Sequence, residues 1–333
     1  MARGTMRHFI AVGRRAAIAA CAIPLLAAVP ARAQLQRIEI VAVPSVTLEG
    51  EQFLTGEHNG KPVMLAGELR LPASRAATLP AVVLIHGSDG LGPSLDRWAW
   101  EINGIGVAAF LLDSFTGRGL VRTDTDQTQL DALAMTVDAY RALALLAEHP
   151  RVDKERIAVM GFSKGAVAAL YSSLRRFHDM HGPPGLAFAA HIGFYTPCNL
   201  AYRDDARTTG EPIRLFHGSA DDYVAIGPCR AYAERLRQAG VDITLTEYEG
   251  AQHDFDNFTL PPLREVASGQ TTRNCLLEEG ENGVIRNAKT GQPYDIRTDP
   301  CVERGPHVGY DQAAHEASVA AVKGFLKATF GLQ

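Results

Sequence analysis

An α/β fold, with a mostly parallel sheet flanked by helices on both faces, follows from three features of this 333-residue chain. Apolar runs of strand length alternate with stretches of helical periodicity, the pattern of a parallel sheet covered on both sides. The run Ala81-Val82-Val83-Leu84-Ile85 is apolar throughout, as a strand buried on both faces must be. Arg156 to Gly165 reads as a buried strand, a sharp turn with a serine at its tip, and the start of a helix.

Residues 1–33 stand apart from that fold. Arg3, Arg7, Arg14 and Arg15 make a basic head without acids, Ala16 to Val29 is apolar, and Ala31-Arg32-Ala33 is an A-x-A cleavage site. The apolar run holds Pro24 and is too short to span a membrane. The expectation is a secretory leader, a mature chain starting at Gln34, and a periplasmic or secreted protein. Arg14-Arg15 hints at twin-arginine export without deciding it against the general route. Losing five of 33 basic residues leaves 28 against 37 acids, a formal charge of −9. That excess argues against nucleic acid or anionic membrane as partners. Without Cys21 the cysteines are Cys198, Cys229, Cys275 and Cys301, an even set that reads as disulfides in an exported chain. We expect Cys198 to pair with Cys229 at one sheet end, and Cys275 with Cys301. No metal-ligand spacing is present, and no metal or cofactor is expected.

The mature chain opens with strands over Arg37–Val43 and Val63–Leu71, before Ala81–Ile85 and Gly106–Leu112. Leu130, Leu133, Val137 and Tyr140 mark a long helix that ends near Pro150. The serine turn follows, and Val167, Leu170 and Leu174 carry its helix. Leu186–Tyr195, Ile213–His217 and Ile243–Tyr248 are further strands, with a helix over Ala231–Gln238. Asp311 can cap a final helix whose core face holds Val319, Val322, Phe325 and Phe330. The reading is one domain over 34–333. It carries an irregular insertion at about 257–306, too long for an ordinary loop and clipped by Cys275 and Cys301 near the site mouth.

In such sheets functional groups sit beyond the carboxyl ends of the strands. Gly161-Phe162-Ser163-Lys164-Gly165 has the G-x-S-x-G form of a nucleophile elbow. A serine pushed from a strand-to-helix turn needs neighbours without bulk, and the Lys164 N–H then lies where an oxyanion can be held. Ile85-His86-Gly87-Ser88 ends an early strand and can aim a second N–H, that of Ser88, at the same oxyanion. His217 to Val224 offers a carboxylate to orient an imidazole; Asp221 is favoured and Asp222 is its rival. His253, in the loop after the last strand, is placed as general base. Ser163, Asp221 and His253 follow the Ser…Asp…His order of α/β-hydrolases.

From about Val82 to His253, with the final helix, the chain resembles the dienelactone hydrolase family of the α/β-hydrolase fold. The residues that carry the likeness are Gly161 to Gly165, Asp113-Ser114-Phe115-Thr116-Gly117-Arg118-Gly119, the Gly218…Asp221…Val224 loop and Gln252-His253-Asp254-Phe255. The resemblance implies Asp221 as triad acid, three residues before apolar Val224. It implies an arginine, here Arg118, that binds a carboxylate on the substrate; the plainer role for Arg118 is to pair with Asp113 or another acid and pin its loop. The chain departs from the founding enzymes in having Ser163 for their cysteine, and Asn257 where they carry a second arginine. Ser163 favours an ordinary serine esterase.

The expected function is therefore hydrolysis of a carboxylic ester or lactone through an acyl-enzyme. Ser163 is the nucleophile, His253 the base, Asp221 its orienter, and Ser88 and Lys164 the oxyanion donors. A small peptidase or acyl-amidase on the same triad, and a non-catalytic exported binding module, are the alternatives. The natural substrate and the oligomeric state are left open.

Overall fold

The computed structural model describes residues 1–5 and 35–333. The leader's apolar stretch, its cleavage site and Gln34 lie outside the described residues. Met1–Thr5 carry no helix or strand.

From Leu35 onward the main-sheet strands are β1 (Leu35–Thr47), β2 (Lys61–Pro72), β3 (Leu79–Ile85), β4 (Ala108–Asp113), β5 (Val152–Phe162) and β6 (His191–Phe194). The two-residue β7 (Leu200–Ala201) lies outside the main sheet, and β8 (Ile213–Gly218) and β9 (Ile243–Tyr248) complete it. The helices are α1 (Gly50–Thr55), α2 (Pro93–Asn103), α3 (Ala132–Ala147), α4 (Lys164–Tyr171), α5 (Arg175–His181), α6 (Ile226–Gln238) and α7 (Gln312–Phe330). The eight strands run in the order β1-β2-β4-β3-β5-β6-β8-β9. β2 is antiparallel to β1 and β4, and the pairs from β4 to β9 are parallel.

Alternation along β3 divides the core. Ala81, Val83 and Ile85 pack on one face with Phe110, Leu112, Met135 and Tyr140 of β4 and α3. Val82 and Leu84 pack on the other with Trp98, Ile102, Val322 and Leu326 of α2 and α7. Successive side chains of a strand point to opposite faces, so a strand between two helical layers must be apolar at every position. Asp311 accepts from the Ala314 N–H at 2.9 Å and caps α7, as its sequence position predicts.

Two expectations need correction. The strand predicted over Leu186–Tyr195 is confined to β6. Pro183-Pro184-Gly185-Leu186 forms a turn, and the chain rejoins the sheet only where the Ala189 N–H donates to Ile157 O. The sequence reading also missed α1, α2 and α5, whose short or half-exposed faces give weak periodicity except in α2.

The segment 257–306 has its own short strands: β10 (Arg264–Glu265), β11 (Gln270–Thr271), β12 (Leu277–Glu279), β13 (Ile285–Asn287) and β14 (Glu303–Arg304), with β15 (His307–Val308) just beyond it. β12 adds in parallel to β7, and β10 pairs with β15. The disulfides are Cys198–Cys229 and Cys275–Cys301, the pairing expected from the sequence. Buried Glu279 ties the segment to the body through Arg176 and Arg203.

Candidate active site

The elbow is built by close approach. Ser163 has φ 50° and ψ −115°, a conformation that L-residues adopt only under constraint. A Cβ on Gly161 would strike the Gly165 carbonyl, and one on Gly165 would strike the carbonyls of Ile85 and His86. The two glycines let α4 turn back directly over β5 and β3. The strained turn is held from behind, where the Ser163 N–H donates to Phe194 O at 3.0 Å.

The ends of β8 and β9 bring two further groups to the serine. His253 Nε2 lies 3.0 Å from Ser163 Oγ, and His253 Nδ1 lies 2.8 Å from Asp221 Oδ2. An ionised carboxylate only accepts, so Nδ1 carries a proton and Nε2 is left to accept from the hydroxyl. Asp221 Oδ1 also accepts from the N–H groups of Tyr223 (2.9 Å) and Val224 (2.8 Å), and His217 Nε2 stands 3.3 Å from Oδ2. Burial pushes the Asp221 carboxyl up, but the His253 charge and the hydrogen bonds from both histidines outweigh it and hold it well below the usual range. For His253, burial pulls down and Asp221 pulls up; the imidazole ends raised to about 8. The ring is fixed between Tyr195 and Tyr223, with centroids at 4.5 and 4.7 Å.

Around Ser163 a cleft of ≈ 300 Å³ is lined by Gly87, Ser88, Leu91, Phe162, Tyr195 and Tyr223, among others. Arg122, Asp124, Asp254, Asn257 and Arg264 also reach it, so the 257–306 segment does border the mouth. Among the described residues, neither the Ser88 nor the Lys164 amide donates to a protein acceptor. Buried His86 sets the Ser88 peptide: its Nδ1 donates to Gly87 O at 2.8 Å, and its Nε2 accepts from the Ser114 N–H at 3.1 Å. A trans peptide points its N–H opposite its C=O, so pinning Gly87 O fixes the direction of the Ser88 N–H.

Asp222 is 2.7 Å from the His307 amide, 2.9 Å from His307 Nδ1 and 3.2 Å from Arg273 Nη1. Its partners are His307 and Arg273 rather than His253, so it pins the inserted segment to the acid loop. The sequence reading missed Asp256. This buried carboxylate accepts from Trp98 Nε1 (2.6 Å), Tyr195 Oη (2.9 Å) and Ser94 Oγ (3.3 Å), and so braces the Tyr195 ring against His253. Its place three residues after the histidine was the one available signal.

Of its two expected roles, Arg118 takes the plainer one, pairing with an acid rather than facing the cleft. It does not border the cleft. Its side chain is 6% exposed, and its Nη1 and Nη2 meet Asp138 of α3 at 2.7 and 3.0 Å. Nε donates to Thr47 Oγ1 at 2.8 Å, and Nη1 also donates to Ser114 O at 2.7 Å. Four of its five N–H donors are spent on the protein, which favours the loop-pinning role over the reading of a substrate carboxylate. Arg118→Met is expected to leave Asp138 buried and uncompensated, lowering stability by about 3–5 kcal/mol. Thermal melts check this, and charged and neutral esters should lose activity alike. A KM rise confined to carboxylated esters would return Arg118 to the substrate.

Comparison with known proteins bears on this arrangement. The model of the dienelactone hydrolase family matches residues 66–276. A probable 2-oxo-3-(5-oxofuran-2-ylidene)propanoate lactonase from Bradyrhizobium sp. is 23% identical over 215 residues, 60% of this chain and 82% of that protein. A dienelactone hydrolase-like promiscuous phosphotriesterase from metagenomic libraries superposes with TM-score 0.56 at 18% identity, over 88% of this chain and 99% of that one. For the structure of m3DLH the values are 0.53, 19%, 88% and 98%. At such identities these two structures speak for the fold alone, and the family match carries the rest: the chain belongs to the dienelactone hydrolase family and is a carboxylic ester hydrolase with the α/β-hydrolase fold.

Proposed function

We propose that the protein is an exported serine hydrolase that cleaves an ester or lactone through an acyl-enzyme. The observation that carries this reading is the relay from Ser163 Oγ through His253 to Asp221, at 3.0 and 2.8 Å, opening on one cleft. Ser163 attacks the carbonyl carbon while His253 Nε2 takes its proton. Asp221 stabilises the imidazolium, and the amides of Ser88 and Lys164 receive the oxyanion. The imidazolium then protonates the leaving alkoxide, and the same base activates the deacylating water. The bound water supplies the second product oxygen, so the cycle needs no redox partner. The lactonase relative brings lactones into the substrate range to be tested.

A panel of p-nitrophenyl esters, lactones and peptides, with fluorophosphonate labelling of Ser163, tests the proposal. Rapid labelling with ester or lactone turnover supports it. Turnover of peptides alone would make the protein an amidase, and no labelling would leave a binding module.

Export belongs to the same reading. The mature protein is taken as one domain from Gln34, with 257–306 inserted into it. Two disulfides are consistent with an oxidising compartment. No helix among the described residues is long and apolar enough to cross a membrane. Mass spectrometry of protein recovered from periplasm or medium is expected to find Gln34 at the N-terminus. A retained Met1 would overturn export.

A further inference from the structure

Lys164 contributes its amide to the proposed oxyanion site, but its side chain has no part in that chemistry. It is nonetheless costly. It is 7% exposed, and burial lowers its pKa to about 8 against the longer-range pull of Asp131 and Asp126. It sits in the first turn of α4, where a cation opposes the helix dipole. Among the described residues its ammonium bonds only neutral groups: Nζ donates to Thr123 Oγ1 at 3.2 Å and to Gln127 O at 3.1 Å. A buried ammonium with no carboxylate in contact weakens a fold unless it does something else.

What it touches leads back to the cleft. The Thr123 N–H donates to Ser88 O at 2.8 Å. The Gln127 carboxamide meets Ser88 Oγ, with Nε2 at 3.0 Å. The 123–127 loop therefore grips Ser88 twice, and Lys164 grips that loop at both of the same residues. His86 fixes the peptide before Ser88, and Thr123 fixes the peptide after it. The two proposed oxyanion donors, 76 positions apart in the sequence, are thus joined through the Lys164 side chain and the 123–127 loop. The Gln127 N–H also donates to Gln270 Oε1 at 2.9 Å, which anchors the loop's far side to the inserted segment.

We propose that the Lys164 side chain is a positioning residue of the oxyanion site: its ammonium fastens the 123–127 loop, and that loop holds the Ser88 amide in register with the Lys164 amide. The inference rests on the serine-hydrolase reading above. A donor that is held out of place stabilises the tetrahedral state less while the ground state is bound as before.

The test uses the full mature chain and p-nitrophenyl acetate. Lys164→Met keeps the backbone N–H and the bulk of the chain but removes the donor. It is expected to lower kcat/KM by about 10–100-fold, somewhat less than deleting an oxyanion donor outright. Inhibition by a phenyl trifluoromethyl ketone, which adds Ser163 to form a hemiketal oxyanion, is expected to weaken by the same factor. Inhibition by the matching carbinol, which cannot add, is expected to stay within twofold. Thr123→Val is nearly isosteric and leaves Lys164 its second acceptor; a loss of about 3–10-fold with the same ketone-only pattern is expected, and this variant decides if Lys164→Met does not fold. Equal weakening of ketone and carbinol would show a general distortion and overturn the proposal. So would kcat/KM within twofold of wild type in the folded variants. Ser163→Ala is measured alongside. If it keeps turnover, the hydrolase reading fails first; if it is inactive while the two variants are normal, only the role of Lys164 fails.

Discussion

Ser163→Ala is expected to lower ester turnover by at least about a thousandfold, and His253→Ala by a similar factor, with the fold intact in both. The nucleophile and its base act as a unit, so removing either removes the covalent route, and the double variant should be scarcely worse than either single one. Neither change opens much of the core: Ser163 loses one hydroxyl at the cleft floor, and the Tyr195 and Tyr223 rings remain in place beside the vacated imidazole. Residual rate in these variants comes from the oxyanion donors and from substrate binding. Steady-state kinetics with fluorophosphonate labelling measures the outcome, and circular dichroism checks the fold. If Ser163→Ala keeps more than a tenth of the wild-type rate, another group is the nucleophile.

The elbow was legible because its requirements are local. Gly161 and Gly165 are demanded by backbone contacts that the strand–turn–helix itself creates, so the pattern carries its own reason. The central strands were legible because burial on both faces forces continuous apolar runs, as in β3. Helix α2 was equally readable: Leu95, Trp98, Ala99 and Ile102 recur at helical spacing after Pro93 and were passed over. Other features depend on partners that no local pattern reveals. Arg118 begins at the right sheet end for a substrate contact, but its fate is set by Asp138 on a helix twenty positions later. Asp256 looks like any loop acid until the fold brings Trp98 and Tyr195 to it. The 257–306 segment reads as irregular because its strands are two or three residues long, pairing partly with one another across the segment and partly with β7 and β15 outside it. Lys164 sits inside the most conspicuous motif of the chain, yet its side chain points to a loop some forty residues earlier.

The two adjacent carboxylates of the acid loop should separate sharply on mutation. Asp221→Asn is expected to reduce kcat by about 10³–10⁴-fold, because an amide at this position no longer enforces the tautomer that leaves Nε2 free to accept from Ser163. Asp222→Asn should cost less than about tenfold, since Asp222 bonds His307 and Arg273 and reaches His253 only through the segment it holds. The pH profiles should part as well. In the wild type the base must be neutral, and its pKa is raised to about 8, so kcat/KM should climb roughly tenfold per pH unit below about pH 8 and level off above it. The Asp221 charge is what raises that value against the opposing effect of burial. Without it the folded imidazole loses its main reason to hold a proton, and the rising limb should move to lower pH while the plateau drops. Asp222→Asn should leave the limb where it is. A limb that moves in Asp222→Asn and stays fixed in Asp221→Asn would exchange the roles of the two aspartates.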